Sequence, residues 1–373
     1  MNTKPRAVKR ITVLEYEIVR ILMVLNIWWI GVKLYHNPIE ATKVVSKLLQ
    51  NFKRMLGKNK LVRAFKVDSK YSWDMFNPAW PSQGFNTFFR SHLIEIQPTA
   101  TQTKSLRRLL IAITKRCPLQ CEHCSEAATL YNSDVLSYDE FASKIETFVN
   151  DGVGQLVYSG GEPLARFEDL IKLLENFKVR CDQWIYTSAY GLTREKAFLL
   201  KAAGLNGAAI SLDNHVEAEH NTFRGNKRSY EWVLEGVKHL QEAGVLVALN
   251  VCPTKDYIEA GGVEKLVDLA KSLNVPMVNL LEPRAVGNYQ DKNVELEEIH
   301  KQHLERISIK FNFNKSYLNS PTVLYPAMYR KAMPCGGGRS YLLLDYDGTL
   351  YPCPFCKTKM PTPKSKVALC EAV

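Results

Sequence analysis

Three cysteines, Cys117, Cys121 and Cys124, stand in the run Thr114-Lys115-Arg116-Cys117-Pro118-Leu119-Gln120-Cys121-Glu122-His123-Cys124. Thiolates at this spacing read as metal ligands, yet three of them cannot close a tetrahedral zinc site alone. A four-iron cluster takes three and leaves one iron open, and an open iron chelates an amino group and a carboxylate held side by side. The rival reading of the same residues is a zinc site that recruits a fourth ligand such as His123. The other cysteines stand at 181, 252, 335, 353, 356 and 370, nine in all. Tight groups and an odd count argue against a disulfide framework and for ligands in a reducing compartment. Cys181 and Cys252 lie near expected strands and read as small buried apolar residues.

These loops must be carried by regular elements. From Ser105 short apolar runs alternate with helical patterns. The runs predict strands over 109–114, 155–158, 184–187, 207–212, 246–251 and 277–281. Helices are expected over 138–150, 167–177, 193–203, 229–243 and 263–273, with one more over 297–309. Strands separated by helices imply right-handed crossovers and a parallel sheet, with ligands at the carboxyl ends of the strands. Six such units predict an α/β fold, an open partial (β/α)6 barrel. The three-cysteine loop follows its first strand.

The cysteine spacing on a strand-to-helix loop resembles the radical S-adenosylmethionine (SAM) superfamily, over roughly residues 105–356. Tyr158-Ser159-Gly160-Gly161-Glu162-Pro163 is similar to the family's Gly-Gly-Glu-Pro motif, whose backbone receives the SAM ammonium group. The resemblance therefore marks Gly160, Gly161 and Glu162 as cofactor-binding. Ser211-Leu212-Asp213 and His220-Asn221-Thr222-Phe223-Arg224-Gly225 resemble elements that make Ser211 and Arg224 candidates for the SAM carboxylate, because guanidinium matches carboxylate geometry. His123 stands where relatives carry an aromatic residue that packs on adenine, and imidazole also stacks. The third strand ends Thr187-Ser188-Ala189, a departure from the family pattern, so no ribose contact is expected there. Arg284 is a weaker candidate for substrate or SAM. The implied cofactors are a [4Fe–4S] cluster on Cys117, Cys121 and Cys124, and SAM itself. The implied reaction is reductive cleavage of SAM to a 5′-deoxyadenosyl radical that takes hydrogen from a substrate. It needs no protein acid or base to begin, so no catalytic side chain is assigned.

Cys335 precedes and Cys353-Pro354-Phe355-Cys356 follows an expected hairpin whose Asp-Gly turn lies at Asp347-Gly348. This resembles the SPASM or twitch extension of radical SAM enzymes. It implies one auxiliary [4Fe–4S] cluster held by Cys335, Cys353, Cys356 and Cys370, with a zinc knuckle as the plainer alternative. Such extensions accompany peptide maturation, so the expected substrate is a peptide or protein side chain. A membrane lipid or isoprenoid is the rival. A non-catalytic metal-binding or electron-transfer protein would keep the cysteines but has no use for Gly160-Gly161 or Arg224.

Residues 1–104 have no place in the resemblance. The chain of 373 residues carries a net charge of +11, yet its first 116 residues hold 21 Lys and Arg against 6 Asp and Glu, the remainder 28 against 32. The apolar run Ile21–Val32 is too short to span a bilayer, which needs about 20 residues. Residues 40–65 predict a basic amphipathic helix. Apolar neighbours beside basic residues favour an anionic membrane surface over nucleic acid, with a soluble cap packed on the catalytic domain as an equal alternative. The expected organisation is an N-terminal helical region (1–104), the radical SAM core (105–310) and a cysteine-bearing extension (311–373). The expected location is the cytosol, at the inner face of the membrane, with a flavodoxin or ferredoxin as low-potential electron donor.

Overall fold

The computed structural model describes residues 8–57, 59, 63–103, 106–330 and 332–357. Cys370 lies outside the described residues. In chain order the elements begin with β1 (Lys9–Arg10), α1 (Val13–Tyr35), α2 (Pro38–Leu56), β2 (Phe65–Val67), β3 (Lys70–Ser72) and α3 (Gln83–Ile96). There follow β4 (Arg108–Ala112), α4 (Tyr138–Asn150), β5 (Gln155–Ser159), α5 (Phe167–Phe177), β6 (Asp182–Thr187), α6 (Arg194–Ala203) and β7 (Gly207–Ser211). Next are α7 (Glu217–Arg224), α8 (Ser229–Ala243), β8 (Leu246–Val251), α9 (Lys255–Glu259), α10 (Gly262–Ser272) and β9 (Met277–Leu280). The last are α11 (Glu298–Phe313), β10 (Thr322–Leu324), β11 (Tyr341–Leu344) and β12 (Leu350–Tyr351).

The six expected strands form β4 to β9, side by side in chain order and all parallel. Their side chains alternate between two faces, as the strand pleat requires. On β4, Leu109 and Ile111 join the large core beneath the helices, while Leu110 packs with Trp184, Ala209 and Ala248 on the inner face. Phe65 and Met75, from the segment before α3, pack into this inner cluster.

The sheet is larger than the sequence pattern suggests. β10 adds to β9 in parallel, β11 adds to β4 in parallel, and β12 turns back antiparallel to β11. The hairpin that brackets the second cysteine group is therefore continuous with the core sheet. Its turn is as expected: the Gly348 amide donates to the Asp345 carbonyl at 2.9 Å, with Gly348 at φ +82°.

Helices α1, α2 and α3 pack around Ile27, Val44, Leu48, Phe85, Phe89 and Leu93. Full burial of each such side chain contributes about 1.5–3 kcal/mol. Asn37 caps α2 through its side-chain oxygen, and Pro38 occupies the first turn, where no amide is needed. α3, which the periodicity did not reveal, seats this bundle on the sheet at Gly84. A Cβ there would stand 2.6 Å from the Asp182 amide nitrogen and 2.7 Å from the Gly154 carbonyl oxygen.

α1 corrects the expected length of the N-terminal apolar segment. It runs for 23 residues, and by length and composition alone it is apolar enough to cross a membrane. Its inner face is tied to the protein: Trp80 Nε1 donates to Asn26 Oδ1 at 2.9 Å, and Trp28 Nε1 to Thr42 Oγ1 at 3.0 Å. Its outer face exposes Leu14, Ile18, Ile21, Leu22, Leu25 and Trp29. These recur at intervals of three and four, so they form one stripe.

Candidate functional site

The cysteine loop leaves the carboxyl end of β4 and is clamped from two sides. The Gln120 and Glu122 amides donate to the carbonyls of Arg224 and Phe223 at 3.1 and 3.0 Å. From the loop after β9, Asn288 donates its backbone amide to the Cys124 carbonyl at 3.0 Å and its side-chain amide to the Cys121 carbonyl at 2.9 Å. Gly287, at φ +58°, allows that approach, since a Cβ would meet the Cys124 carbonyl oxygen at 2.0 Å. The sequence reading missed this clamp; Gly287 beside an amide side chain was its only signal.

Cys117, Cys121 and Cys124 are free thiols and line one cavity of about 990 Å3. Among the described residues no group of three His, Cys, Asp or Glu side chains converges so as to hold a single metal ion. Three cysteines on one loop are the number a [4Fe–4S] cluster takes when it keeps one iron open, whereas a structural zinc site needs four ligands. Burial pushes all three thiols upward, Cys117 to about 12, so they wait protonated for a cation that displaces the protons.

Gly160 and Gly161 line the cavity and also let two loops approach closely. A Cβ on Gly160, at φ +128°, would stand 2.3 Å from the Thr114 carbonyl oxygen, and one on Gly161 would stand 2.4 Å from that of Arg116. The glycines therefore bring this loop against the segment between β4 and Cys117. The Gly161 and Glu162 amides donate to those same carbonyls at 2.8 Å. Among the described residues no protein donor reaches the Gly160 and Gly161 carbonyls, which are thus open to an ammonium group.

The Glu162 side chain has no capacity left for a ligand. It accepts from Thr187 Oγ1 at 2.6 Å, from the Ser188 amide at 2.7 Å and from the Leu164 amide at 3.1 Å. Its role is to pin the loop after β6 to the loop after β5. Burial raises its pKa, and these hydrogen bonds partly offset that.

Arg224 is held more tightly than the sequence implied. Its Nε and Nη2 donate to Asp213 Oδ2 at 2.6 and 2.5 Å, and its Nη1 lies 3.5 Å from Cys121 Sγ. Burial would lower the guanidinium's pKa, but Asp213 and Cys121 more than reverse this. Asp213 Oδ1 also accepts from the Cys252 amide at 3.0 Å, and the Asp213 amide donates to His220 Nδ1 at 3.2 Å. Only one edge of Arg224 thus remains for a SAM carboxylate. Ser211, at the end of β7, lines the cavity with its hydroxyl free of protein partners among the described residues. Asn250 of β8 also lines the cavity and was not anticipated.

His123 stacks on Phe223 with ring centroids 4.9 Å apart, and its Nδ1 is buried without a partner. Burial pushes its pKa down to about 4 and keeps the ring neutral. An orphaned polar atom beside the cysteines is one a bound ligand can satisfy. Arg284 does not reach this group: it pairs with Glu282 at 2.7 Å.

The second cysteine group borders the same cavity through Gly336, Tyr341, Pro354 and Phe355. Cys335 and Cys353 are free thiols, with Cys335 Sγ 3.7 Å from Tyr341 Oη, and the Cys356 amide donates to Cys353 Sγ at 3.2 Å. Cys356 is disulfide-bonded, so iron binding at this group requires that bond to be reduced first. Cys181 and Cys252 are buried, as expected.

Residues 111–259 match the family described as the Radical SAM superfamily. The chain is 30% identical to the AdoMet-dependent heme synthase of Nitratidesulfovibrio vulgaris over 154 residues, 40% of this chain and 41% of that protein. It is 31% identical to the GTP 3′,8-cyclase of Aliarcobacter butzleri over 164 residues, 42% of this chain and 50% of that one. The chain thus spans half or less of these curated relatives. Among solved structures, Streptococcus suis SuiB bound to precursor peptide SuiA is similar with a TM-score of 0.58 and 15% identity, covering 74% of this chain and 66% of that chain. Native anSMEcpe with bound AdoMet is similar with a TM-score of 0.51 and 19% identity, covering 67% and 76%. At such identity these likenesses show a shared fold.

Proposed function

We propose that this protein cleaves SAM reductively and uses the resulting radical to modify a peptide or protein side chain. The observation that carries the reading is the meeting, in one deep cavity, of three free thiols, two open glycine carbonyls and the paired Arg224. A [4Fe–4S] cluster bound there with SAM supplies the electron for cleavage and the 5′-deoxyadenosyl radical that takes hydrogen from the substrate. The chain's own residues position and exclude. Cys117, Cys121 and Cys124 hold the cluster, and the Gly160 and Gly161 carbonyls face the ammonium group. Ser211 and the free edge of Arg224 face the carboxylate, and neutral His123 offers a stacking surface. Cys335, Cys353 and reduced Cys356 hold an auxiliary cluster at the cavity mouth. A flavodoxin or ferredoxin supplies the electron. A peptide is the favoured substrate because the fold is shared with a structure bound to a precursor peptide. The test is anaerobic reduction of iron-loaded protein with SAM, reading methionine and 5′-deoxyadenosine.

The same reading places the protein peripherally on an anionic membrane in the cytosol. The α1 stripe would lie in the interface, flanked by Lys9, Lys33 and the exposed Lys43. Each basic side chain near such a surface adds about 1 kcal/mol. Because the other face of α1 is bound to α2 and α3, an in-plane helix keeps that packing, whereas a spanning one would break it. In flotation with phosphatidylglycerol vesicles at low salt, the wild type is expected to float and the double variant Leu22→Glu, Leu25→Glu to remain behind. Both forms remaining in the soluble fraction would remove the membrane from the account.

A further inference from the structure

The cavity continues from the cysteine loop along the inner face of β4, past Ala112 and Leu110, to Arg108 at the strand's opposite end. Arg108 lies deep in the molecule yet stays partly accessible, through the cavity it lines. Its Nε donates to Gln155 Oε1 at 2.6 Å and its Nη2 to the Phe76 carbonyl. No protein group among the described residues accepts from Nη1, and no carboxylate there lies within ion-pair distance of the guanidinium. Asp74, which acts on Arg108 electrostatically from further away, spends its carboxylate on the Phe76 and Asn77 amides at 2.7 and 2.8 Å.

Two more guanidiniums border this end of the cavity. Arg107 and Arg339 share one carboxylate, Glu95: Arg107 Nη1 pairs with Oε2, and Arg339 Nε lies 3.5 Å from Oε1. Three arginines therefore share this end with three acids, of which Asp74 and Asp182 are already committed to backbone amides, Gln155 and Trp184. Internal charges are normally paired, and a cation left open toward a cavity is a standing site for an anion.

We propose that Arg108, with Arg107 and Arg339 beside it, binds the carboxylate of an acidic side chain in the peptide substrate. This rests on the peptide reading above and extends it to specificity. Four residue steps along β4 separate Arg108 from Ala112, roughly 13 Å at about 3.3 Å per step. An extended peptide covers the same distance in about four residues. The acidic residue therefore lies about three or four positions from the residue that loses hydrogen.

The test is calorimetric titration of the full-length, iron-loaded, SAM-bound protein with two probes, acetyl-Ala-Glu-Ala-Ala-Ala-Ala-amide and the same peptide with glutamine for glutamate. The wild type is expected to bind the glutamate peptide at least tenfold more tightly. Arg108→Gln is expected to bring the two within about twofold. Arg339→Gln, at a more exposed position without other hydrogen bonds, is expected to narrow the gap and stands in should Arg108→Gln fail to fold by circular dichroism. Equal binding of the two peptides by the wild type would overturn the subsite while leaving a peptide substrate intact. So would a preference undiminished in every variant that folds. Binding of neither peptide also overturns the proposal. Tighter binding of dihexanoylphosphatidic acid than of the glutamate peptide overturns it together with the peptide reading, in favour of a lipid.

Discussion

Replacing Cys117, Cys121 and Cys124 together by alanine is expected to halve the iron of the anaerobically reconstituted protein, from about eight atoms to about four, and to abolish SAM cleavage. Three thiolates from the first loop and those of the hairpin group account for two [4Fe–4S] clusters. The two groups lie on separate loops, and the triple variant leaves the hairpin group untouched. The substitutions remove small side chains from a loop held by backbone hydrogen bonds to Phe223, Arg224 and Asn288, so the fold should survive them. Iron determination with sulfide assay checks the result. A wild type that holds one zinc and no iron would contradict it, and a triple variant that keeps all its iron would move the cluster elsewhere.

The second large effect concerns stability. Asp213→Ala and Arg224→Ala are each expected to cost about 3–5 kcal/mol, because each leaves its partner's charge buried and alone. Arg224 is 7% exposed and Asp213 5%, so water reaches a lost partner only through the cavity both line. The double variant should lose distinctly less than the sum of the two, since neither charge then remains unpaired. Denaturant unfolding of the metal-free protein measures all three. Simple additivity would show that the pair is not coupled. Arg224→Ala should also weaken SAM binding, but only the free edge of the guanidinium contributes to that.

The βα units were legible because each strand is a short apolar run bounded by turn residues, and each intervening helix carries its own periodicity. Helices 138–150, 167–177 and 229–243 agree with the expected bounds. What escaped was non-local. Residues 341–344 read as half of a local hairpin, and nothing in their sequence announces that they pair with 108–111, more than 200 residues earlier. β10 has only three residues, too few for a period. In the site, residue types and spacing marked the cysteines, the glycine pair and Arg224. They did not show that Glu162 is consumed by Thr187 and Ser188, or that Arg224 belongs first to Asp213. Such pairings depend on which loops the sheet brings together. Arg108 shows the same limit: as a sequence letter it is one of many basic residues, and only its inward position on β4 leaves its charge facing the cavity.

The central claim, that the cysteine loop and its neighbours form a SAM-cleaving centre, is tested most directly by mass-spectrometric quantification of products after anaerobic reduction of the iron-loaded protein with SAM. The account predicts methionine and 5′-deoxyadenosine in equal amounts, dependent on the reductant. A reduced [4Fe–4S] signal with SAM left intact would contradict it and leave the protein an electron carrier.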